Sequence, residues 1–546
     1  MKKLFVSAAA FALLAACGET AETPTPYEIN EASLAGHIKT LASDEFGGRA
    51  PATKGEELTV AYLTKEFRDA GLSPANDGKY TQDVPLISVE TLGAPSFTIS
   101  GENGTETFAY RDDMVVWTRR AQTETSLADS ELVFVGYGIN APERGWNDYE
   151  GIDVKGKTVV MMINDPGFAT QNDALFNGNA MTYYGRWDYK FDEAARQGAA
   201  GAIMIHETKP AAYPWNTVDA SWTGPQFDTI RPDGGASLSQ AESWITTDAA
   251  DRLFKLAGLD RAALQKAAET PGFKAVPMNL KVATSFESKV GNVNSQNIAG
   301  VVKGSKYPDE YFIYMAHWDH IGTDPSIEGD GIYNGALDNA TGTGGLIELA
   351  RAFASGEQPE RSVLFIAVTA EEQGLLGSAY YAANPLVPLS DTVGGINMDG
   401  LNNFGPTNDV TVTGYGNSEL DNYLRQIAET QGRVLAPDAY PEKGGFYRSD
   451  HFELSKEGVP MLYPNSGNDH KEKGKEYVAE IRKEYLRVGY HKPGDEYSDD
   501  WDLSGAVEDL KLYELTGRLI LNSRDWPEWS EGSEFKAKRS AQRKGK

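Results

Sequence analysis

The sequence predicts an α/β fold in which helices flank a mostly parallel mixed sheet, with a smaller α/β domain inserted into it. In the second half of the chain, short apolar runs such as 311–315 and 363–368 alternate with segments whose apolar residues recur every three or four positions. This alternation is typical of parallel strands joined by helices. A separate segment that begins near Glu131 repeats the alternation on a smaller scale, and it predicts the inserted domain.

The first quarter of the chain is predicted to hold two helices and a strand-rich segment. Between Ile29 and Leu72, apolar residues recur at three- and four-residue spacing in two stripes, which predicts two helices. The glycine- and proline-containing segment 43–56 separates the stripes and predicts a loop. The segment 80–127 is strand-rich, and its residues 101–104 predict a hairpin turn.

The inserted domain is predicted to span residues 126–284. Its candidate strands are the apolar runs at 132–135, 158–162 and 202–205, and a polar helix at 190–197 leads into the last of them. Strands and a helix in this order predict a small α/β unit with its own core. The segment is also rich in aromatic residues, which favours packing over a specific binding role.

The remaining residues, 28–125 and 285–530, are predicted to form the main domain. Residues 531–546 are basic and polar, and they are predicted to be a disordered tail. Helices with apolar stripes separate the strands of the second half. The predicted strands are 311–315, 363–368, 395–398, 410–413 and 461–463.

The charge of the chain limits its partners. The chain has 51 lysines and arginines against 79 aspartates and glutamates, which gives a net charge of −28. Such an acidic surface argues against binding nucleic acid, or anionic lipid through charge, and it favours cations, including metals and free amines. The sequence leaves the oligomeric state open.

The first residues have the pattern of a secretory signal. Lysines precede an apolar run from Leu4 to Leu14, which is shorter than the roughly 18 residues that a spanning helix needs. The ending Leu-Ala-Ala-Cys at Cys17 resembles the bacterial lipobox, whose cysteine becomes the lipidated first residue. We expect 1–17 to be a lipoprotein signal peptide and 18–27 a tether. The expected location is the bacterial cell envelope, lipid-anchored on the periplasmic side. Gly18, rather than Asp, follows the cysteine and favours the outer membrane.

Three predicted strands of the second half end in residue types that bind metals. His317 and Asp319 follow the first strand, Glu371 and Glu372 the second, and Asp399 the third. The carboxyl ends of the strands form the ligand crevice of an open α/β sheet. Several acidic side chains at one edge would repel one another unless cations lie among them. The pattern therefore predicts a metal site at this edge.

Asp338, in a glycine-rich loop, and His491, farther along the chain, complete a candidate ligand set. Five side chains are too many for one open catalytic zinc, but they suit two metals about 3.5–4 Å apart if one carboxylate bridges them. Asp338 is the natural bridge, because the glycines around it let the backbone come close. His320 and His451 lie beside these motifs and are interpreted as structural. The predicted ligands suit zinc, or the similar metals cobalt and manganese. They are His317, Asp338, Glu372, Asp399 and His491.

Two further acidic residues are predicted to assist the metals. Asp319 lies two residues beyond His317 and is expected to accept the other N–H of its imidazole, which fixes the tautomer. Glu371 and Glu372 are adjacent, but their side chains diverge at a strand end. Glu372 is therefore expected to bind a metal while Glu371 acts on the reactive water as general base.

Five short motifs of the second half, with the loop 43–56 and the segment 449–460, resemble the di-zinc aminopeptidases of peptidase family M28. The segment from Glu131 to His206 looks like the protease-associated domain that many members carry as an insertion. The resemblance covers about residues 28–525 and implies a fold of the zinc-exopeptidase type. The five motifs are AHWDH, NGALDNATG, TAEEQGLLGS, INMDG and YHKPGDE.

When the functional residues of the family are matched to this sequence one at a time, the resemblance implies two zinc ions per chain. Glu371 matches the general base, Asp319 matches the residue that supports the first histidine, and Tyr490 matches a tyrosine that stabilises the developing oxyanion in some members. The ligand roles that it implies are His317 and Asp399 for one zinc, Glu372 and His491 for the other, and Asp338 as the bridge.

The resemblance implies an aminopeptidase that removes N-terminal residues from peptides, with an inserted domain that covers the cleft. A carboxypeptidase of the same fold stays open, because Arg448 and Lys443 are candidates to bind a substrate carboxylate. A glutaminyl cyclase is disfavoured, because the cyclases keep a single zinc and this chain has both His317 and His491. A non-catalytic binding protein on a peptidase scaffold should have lost ligands or the base, and none is missing.

Overall fold

The computed structural model describes residues 27–544. The predicted signal peptide, with Cys17, and the predicted tether up to residue 26 lie outside the described residues. Within 27–544, none of the helices combines the length and the apolar character that crossing a membrane requires.

Fifteen α-helices are found in the part of the chain that the structure describes. They are α1 (Glu31–Leu41), α2 (Lys54–Asp69), α3 (Pro166–Thr170), α4 (Trp187–Arg196), α5 (Thr208–Ala211), α6 (Trp215–Trp222), α7 (Thr247–Ala257), α8 (Arg261–Ala268), α9 (Thr341–Ser355), α10 (Leu376–Ala383), α11 (Leu420–Thr430), α12 (His451–Lys456), α13 (Gly474–Val488), α14 (Ser504–Leu521) and α15 (Lys536–Gln542).

Twenty strands lie among these helices in the same described range. They are β1 (Ser73–Pro74), β2 (Thr81–Gly101), β3 (Gly104–Thr107), β4 (Met114–Trp117), β5 (Glu124–Phe134), β6 (Asn140–Ala141), β7 (Trp146–Asn147), β8 (Thr158–Met162), β9 (Gly201–Ile205), β10 (Pro225–Thr229), β11 (Ala241–Ile245), β12 (Val276–Val302), β13 (Tyr307–His317), β14 (Gly322–Thr323), β15 (Ile332–Tyr333), β16 (Arg361–Val368), β17 (Thr392–Asn397), β18 (Asp409–Thr413), β19 (Val434–Pro437) and β20 (Met461–Ser466).

One large sheet runs through the molecule in the order β19-β18-β20-β17-β13-β16-β12-β5-β8-β9-β11-β4. Its first half is mostly parallel: β13 pairs in parallel with both β16 and β17, and β17 pairs in parallel with β20. Its second half contains the parallel series β5-β8-β9-β11. The predicted class, a mostly parallel mixed sheet flanked by helices, is confirmed.

The central strands of the first half are covered on both faces. Every residue of β16 is buried, as are the last six residues of β13. One face packs a core that includes residues of α1, α2, α9 and α14, and the other face packs a smaller core with Tyr381 of α10 and Leu454 of α12. Burial on both faces explains the continuous apolar runs from which these strands were predicted.

The second half of the sheet has its own hydrophobic cores, and most of their residues lie in the segment 126–284 that is predicted to be inserted. It begins earlier than the predicted boundary at residue 126, because β4 pairs with β11 and Met114 lies in one of these cores. That pairing joins Trp117 to Glu242. A contact over such a sequence distance leaves no local signal, so β4 was assigned to the main domain. The protease-associated type of this domain stays a prediction.

The C-terminal segment is not a disordered tail in its described part, so this prediction for residues 531–546 is wrong up to residue 544. Phe535 is buried at 4% exposure, and Arg539 of α15 is fully buried. Arg539 Nη2 donates to the main-chain oxygen of Thr392, 2.9 Å away, and Arg543 lies 3.4 Å from the ring centroid of Trp526. These basic residues are ordered because their guanidinium groups donate to carbonyl oxygens and pack on an aromatic ring. Composition alone does not reveal such contacts.

Candidate metal centre

Parallel pairing brings the three predicted strand ends to one edge of the sheet. His317 is the last residue of β13 and lies opposite Val368, the last residue of β16. Met315 of β13 lies opposite Asn397, the last residue of β17. Glu371 and Asp399, which follow β16 and β17 within three residues, therefore emerge beside His317.

Asp338 occupies the middle of this edge. It lies in a short turn, Ala336–Ala340, that directly precedes α9. Its Oδ1 is 3.3 Å from Nε2 of His317, and its Oδ2 is 3.3 Å from Nε2 of His491. The two carboxylate oxygens thus face two different histidines, which is the arrangement a bridging ligand requires.

Gly335 permits this turn. Its φ is +55°, and a Cβ there would lie 2.3 Å from the main-chain oxygen of Asp338 and 2.5 Å from the ring of His320. A side chain at this position would force the Asp338 turn or His320 to shift.

The first group of donors comprises His317, Asp338 and Asp399. Nε2 of His317 is 3.3 Å from Oδ1 of Asp399, and the hydroxyl of Ser449 donates to the other oxygen of Asp399 at 2.7 Å. Nδ1 of His317 lies 3.1 Å from the main-chain oxygen of Asp319. A proton on Nδ1 that is donated to this oxygen leaves Nε2 free to bind a metal.

The second group forms around Glu372. Its Oε2 is 3.2 Å from Nε2 of His491, and its Oε1 is 2.6 Å from Nδ1 of His320. The structure therefore places His320, which the sequence analysis interpreted as structural, in direct contact with a predicted ligand. His451, interpreted in the same way, is fully buried between Phe446 and Tyr463, and burial lowers its pKa to about 3.

These residues fit metal ions. The ligand atoms of His317, Asp338 and Asp399 lie within 4.8 Å of one another, and so do those of His320, Asp338 and Glu372. Oε1 of Glu372 and both ring nitrogens of His320 are buried and make no aligned hydrogen bond within residues 27–544. Imidazole nitrogens mixed with carboxylate oxygens are the donors that zinc prefers.

The electrostatics of the site also favour cations. Burial raises the pKa of Glu371 well above its usual range, His317 opposes this effect, and Glu372 adds to it. Burial lowers the pKa of His491, but Glu372 and Asp338 outweigh burial and raise that pKa to about 9. Neighbouring carboxylates contribute to both shifts, and positive ions would relieve this buried negative charge.

The carboxylate of Asp319 has a different partner from the one predicted. Its Oδ1 lies 3.8 Å from Nδ1 of His317, beyond hydrogen-bond distance. It accepts instead the main-chain N–H of Glu371 at 3.0 Å and that of Glu372 at 3.3 Å. Asp319 therefore supports His317 through its main-chain oxygen and fixes the two glutamates through its side chain. Burial raises the pKa of Asp319 to about 6.

Arg49 is a residue whose function the sequence analysis did not identify, although it lies in the loop 43–56. It is 1% exposed. Its guanidinium donates to the main-chain oxygens of Trp318 at 2.8 Å, Asn334 at 2.6 Å and Gly335 at 2.8 Å. Arg49 thus connects the segment after β13 to the Asp338 turn, in the forked geometry that guanidinium provides.

Asp495 is a second such residue. It is 2% exposed, and its two oxygens accept the main-chain N–H groups of Leu337 at 2.9 Å and Asp338 at 3.0 Å. The hydroxyl of Tyr485 lies 3.2 Å from the same carboxylate. Asp495 follows His491 in the chain, so one segment provides both a predicted ligand and the group that positions Asp338.

Tyr490 lies beside this centre. Its ring stacks on that of His491, with ring centroids 3.9 Å apart and an interplanar angle of 24°, and it is 44% exposed. The oxyanion role of Tyr490 stays a prediction.

Comparison with known sequences finds a family match over the second half of the chain. Residues 297–515 match the model of Peptidase family M28, and the match includes all five predicted ligands. A probable zinc metalloprotease of Pyrenophora tritici-repentis is 34% identical over 181 residues, which cover 33% of this chain and 37% of that protein. Aminopeptidase NAALADL1 of Mus musculus is 31% identical over 170 residues, 28% of this chain and 21% of that protein.

The solved structures that resemble this one include two bacterial aminopeptidases. The aminopeptidase from Aneurinibacillus sp. strain AM-1 gives a TM-score of 0.49 at 18% identity, covering 91% of this chain and 95% of that one. BSAP, a zinc aminopeptidase from Bacillus subtilis, gives a TM-score of 0.44 at 18% identity, covering 90% of this chain and 96% of that one.

The position of Asp338 between the two histidines predicts how substitutions change metal binding. Asp338→Asn should lower the metal affinity of both donor groups by about 100-fold, whereas Asp399→Asn should weaken mainly the group that contains His317. The measurement is zinc content per chain at fixed free zinc. Asp309→Asn, an exposed residue at the other end of β13, is the control. Loss of only one metal in Asp338→Asn would contradict a bridging role.

Asp495→Asn should lower metal affinity about 10- to 100-fold, because the amide that replaces one carboxylate oxygen cannot accept an N–H bond from the Asp338 turn. A zinc titration with a competing chelator measures this change. Asp499→Asn is a matched control, since Asp499 lies in the same acidic segment and its side chain is 84% exposed. Equal affinities in the two variants would show that Asp495 does not position Asp338.

Proposed function

We propose that the protein is a zinc-dependent aminopeptidase of Peptidase family M28 that binds two zinc ions. The observation that carries the proposal is the carboxylate of Asp338, whose two oxygens each lie 3.3 Å from a different histidine. The family match over residues 297–515 supports the same conclusion. His317, Asp338 and Asp399 would hold one ion, and Asp338, Glu372 and His491 the other.

The chain supplies the proton transfers of peptide hydrolysis. When bound, the zinc ions would lower the pKa of water and polarise the scissile carbonyl. Glu371 takes one proton from the attacking water as the new C–O bond forms, and it gives that proton to the leaving nitrogen as the C–N bond breaks. Asp319 keeps Glu371 in place through the 3.0 Å bond to its main-chain N–H.

The acidic surroundings favour a substrate with a free amino terminus. Glu371, Glu372 and Asp399 lie close together, so a protonated α-amino group would find carboxylates beside the reacting bond. The carboxypeptidase alternative rests on Arg448 and Lys443. The ammonium of Lys443 lies 4.3 Å from the ring centroid of Tyr440. Arg448 has no carboxylate partner within residues 27–544. The carboxypeptidase alternative is therefore tested with the peptides described below.

We also propose a role for the inserted domain, a location for the protein and the class of its partners. The inserted domain is proposed to be of the protease-associated type and to limit access to peptides. A lipid on Cys17 would attach the protein to the bacterial envelope, facing the periplasm. The proposed partners are peptide substrates and not nucleic acid, in agreement with the net charge of −28.

Hydrolysis of matched peptides tests the aminopeptidase activity. The zinc-loaded protein should cleave a tripeptide amide with a free amino terminus and leave its N-acetylated form intact, because acetylation removes the charge that the carboxylates bind. Chromatography and mass spectrometry identify the products. A carboxypeptidase would instead cleave the N-acetylated tripeptide with a free carboxyl terminus, which is assayed beside the two amides.

Glu371→Gln should retain both metals and lose about 10²- to 10⁴-fold in kcat, because the amide cannot accept the proton of water. Steady-state kinetics and zinc content are measured on the same sample. Glu328→Gln, an exposed residue of the segment between β14 and β15, serves as control. An unchanged kcat in Glu371→Gln would place the general base elsewhere.

A further inference from the structure

Helix α13 leads directly into the segment that carries Tyr490 and His491, yet it packs weakly on the rest of the molecule. Of its fifteen residues, Val478 alone is buried. The helix contributes no side chain to the hydrophobic cores found among residues 27–544. Apolar packing, which fixes most helices in proteins, therefore does not fix the position of α13.

An arginine near the middle of α13 holds the helix instead. Nη2 of Arg482 donates to the main-chain oxygens of Ser466 at 2.9 Å and Gly467 at 3.1 Å. Nη1 of Arg482 donates to the side-chain oxygen of Asn468. The fixed fork of a guanidinium suits such a set of acceptors, because its nitrogens can bind several oxygens at once.

The segment that accepts these bonds is fixed to the large sheet. Ser466 is the last residue of β20 and pairs with β18. Asp409, the first residue of β18, accepts the main-chain N–H of Asn468 at 2.9 Å. Residues 466–468 are therefore a rigid support, and Arg482 joins α13 to it.

The turn that carries His491 rests on the last turn of α13. The main-chain N–H of Tyr490 donates to the oxygen of Tyr485 at 2.9 Å. The ammonium of Lys492 donates to the oxygen of Arg487 at 2.6 Å, where the partial negative charge at the end of a helix favours a cation. His491 has a φ of +53°, a conformation that its side chain disfavours, so these contacts of the turn determine where the imidazole lies.

The two histidines of the candidate metal centre depend on α13 to different degrees. His317 ends the buried strand β13, and its side chain is 1% exposed. His491 belongs to no strand, and its side chain is 39% exposed. Tyr485 of α13 contacts Asp495, but Asp495 is also bound to the Asp338 turn through two main-chain N–H groups. A movement of α13 would therefore displace His491 and leave His317 in place.

We propose that Arg482 is a positioning residue for the second group of metal donors. By binding residues 466–468 it holds α13, and through α13 it keeps His491 within reach of the other donors. Without this contact the helix moves, and the metal bound by His491 dissociates faster than the metal bound by His317. The inference rests on the proposed function, because it needs a centre that binds two metals.

The test measures zinc release from the full zinc-loaded chain into an excess of a chromogenic chelator. The wild type should release zinc in a fast and a slow phase, and His491→Ala should lack the fast phase, which assigns that phase to the second group. Arg482→Gln should accelerate the fast phase about 10- to 100-fold and leave the slow phase unchanged, because groups that position a ligand affect metal binding by about this factor. Arg482→Lys keeps the charge but loses the fork, so its rate should be intermediate.

Lys483→Gln is the matched control, since Lys483 is the next residue of α13 and its side chain is 76% exposed. Its release should equal that of the wild type. Asn468→Ala removes an acceptor of Arg482 from the other side of the contact, and it should also accelerate the fast phase alone. Hydrogen exchange of the same zinc-loaded samples should rise in α13 of Arg482→Gln and stay unchanged in β13 and β16, whereas a loss of overall stability would raise exchange in all three elements.

The outcomes separate this inference from the proposed function. Unchanged zinc release in both Arg482→Gln and Asn468→Ala, or equal acceleration of both phases, would overturn the positioning role of Arg482 and leave the two-zinc centre intact. Faster hydrogen exchange in α13 with unchanged zinc release would show that Arg482 holds the helix without positioning His491, which also overturns the inference. A wild type that binds a single zinc ion would overturn the proposed two-zinc centre itself.

Discussion

The carboxylate of Asp338 is the group on which the candidate site depends, because it lies 3.3 Å from each of two histidines that come from distant parts of the chain. A buried carboxylate keeps such a position only if its backbone is fixed. Asp495 accepts the N–H of Asp338 itself, and Arg49 donates to the oxygen of Gly335 three residues earlier. Hydrogen bonds with a charged partner each contribute about 1.5–3 kcal/mol, so these contacts hold the turn against the repulsion of neighbouring carboxylates.

The sheet explains why the other predicted ligands converge on Asp338. Strands β13, β16 and β17 are parallel neighbours, so the residues that follow them emerge at the same edge. The helix α9 begins directly after the Asp338 turn and packs on the sheet, which anchors the turn on its other side. The parallel pairing alone therefore brings together the His that ends β13, the Glu pair that follows β16 and the Asp that follows β17.

This local regularity is also the reason why the sequence predicted most of the sheet and the grouping of His317, Asp338, Glu372, Asp399 and His491. Apolar runs mark buried strands, and metal-type residues directly follow them. Arg49 and Asp495 could not be recognised in this way. Arg49 is 269 and 285 positions from two of its carbonyl partners, and an arginine that binds carbonyl oxygens looks in the sequence like any exposed arginine. Asp495 begins an acidic run that suggests a solvated loop.

The extent of the inserted domain also depends on contacts between residues that are far apart in the sequence. Its boundary was misplaced because β4 pairs with β11, more than a hundred residues later. The single strand β12, 27 residues long, pairs with β16 at one end and with β5 at the other, so the first half of the sheet continues directly into the second.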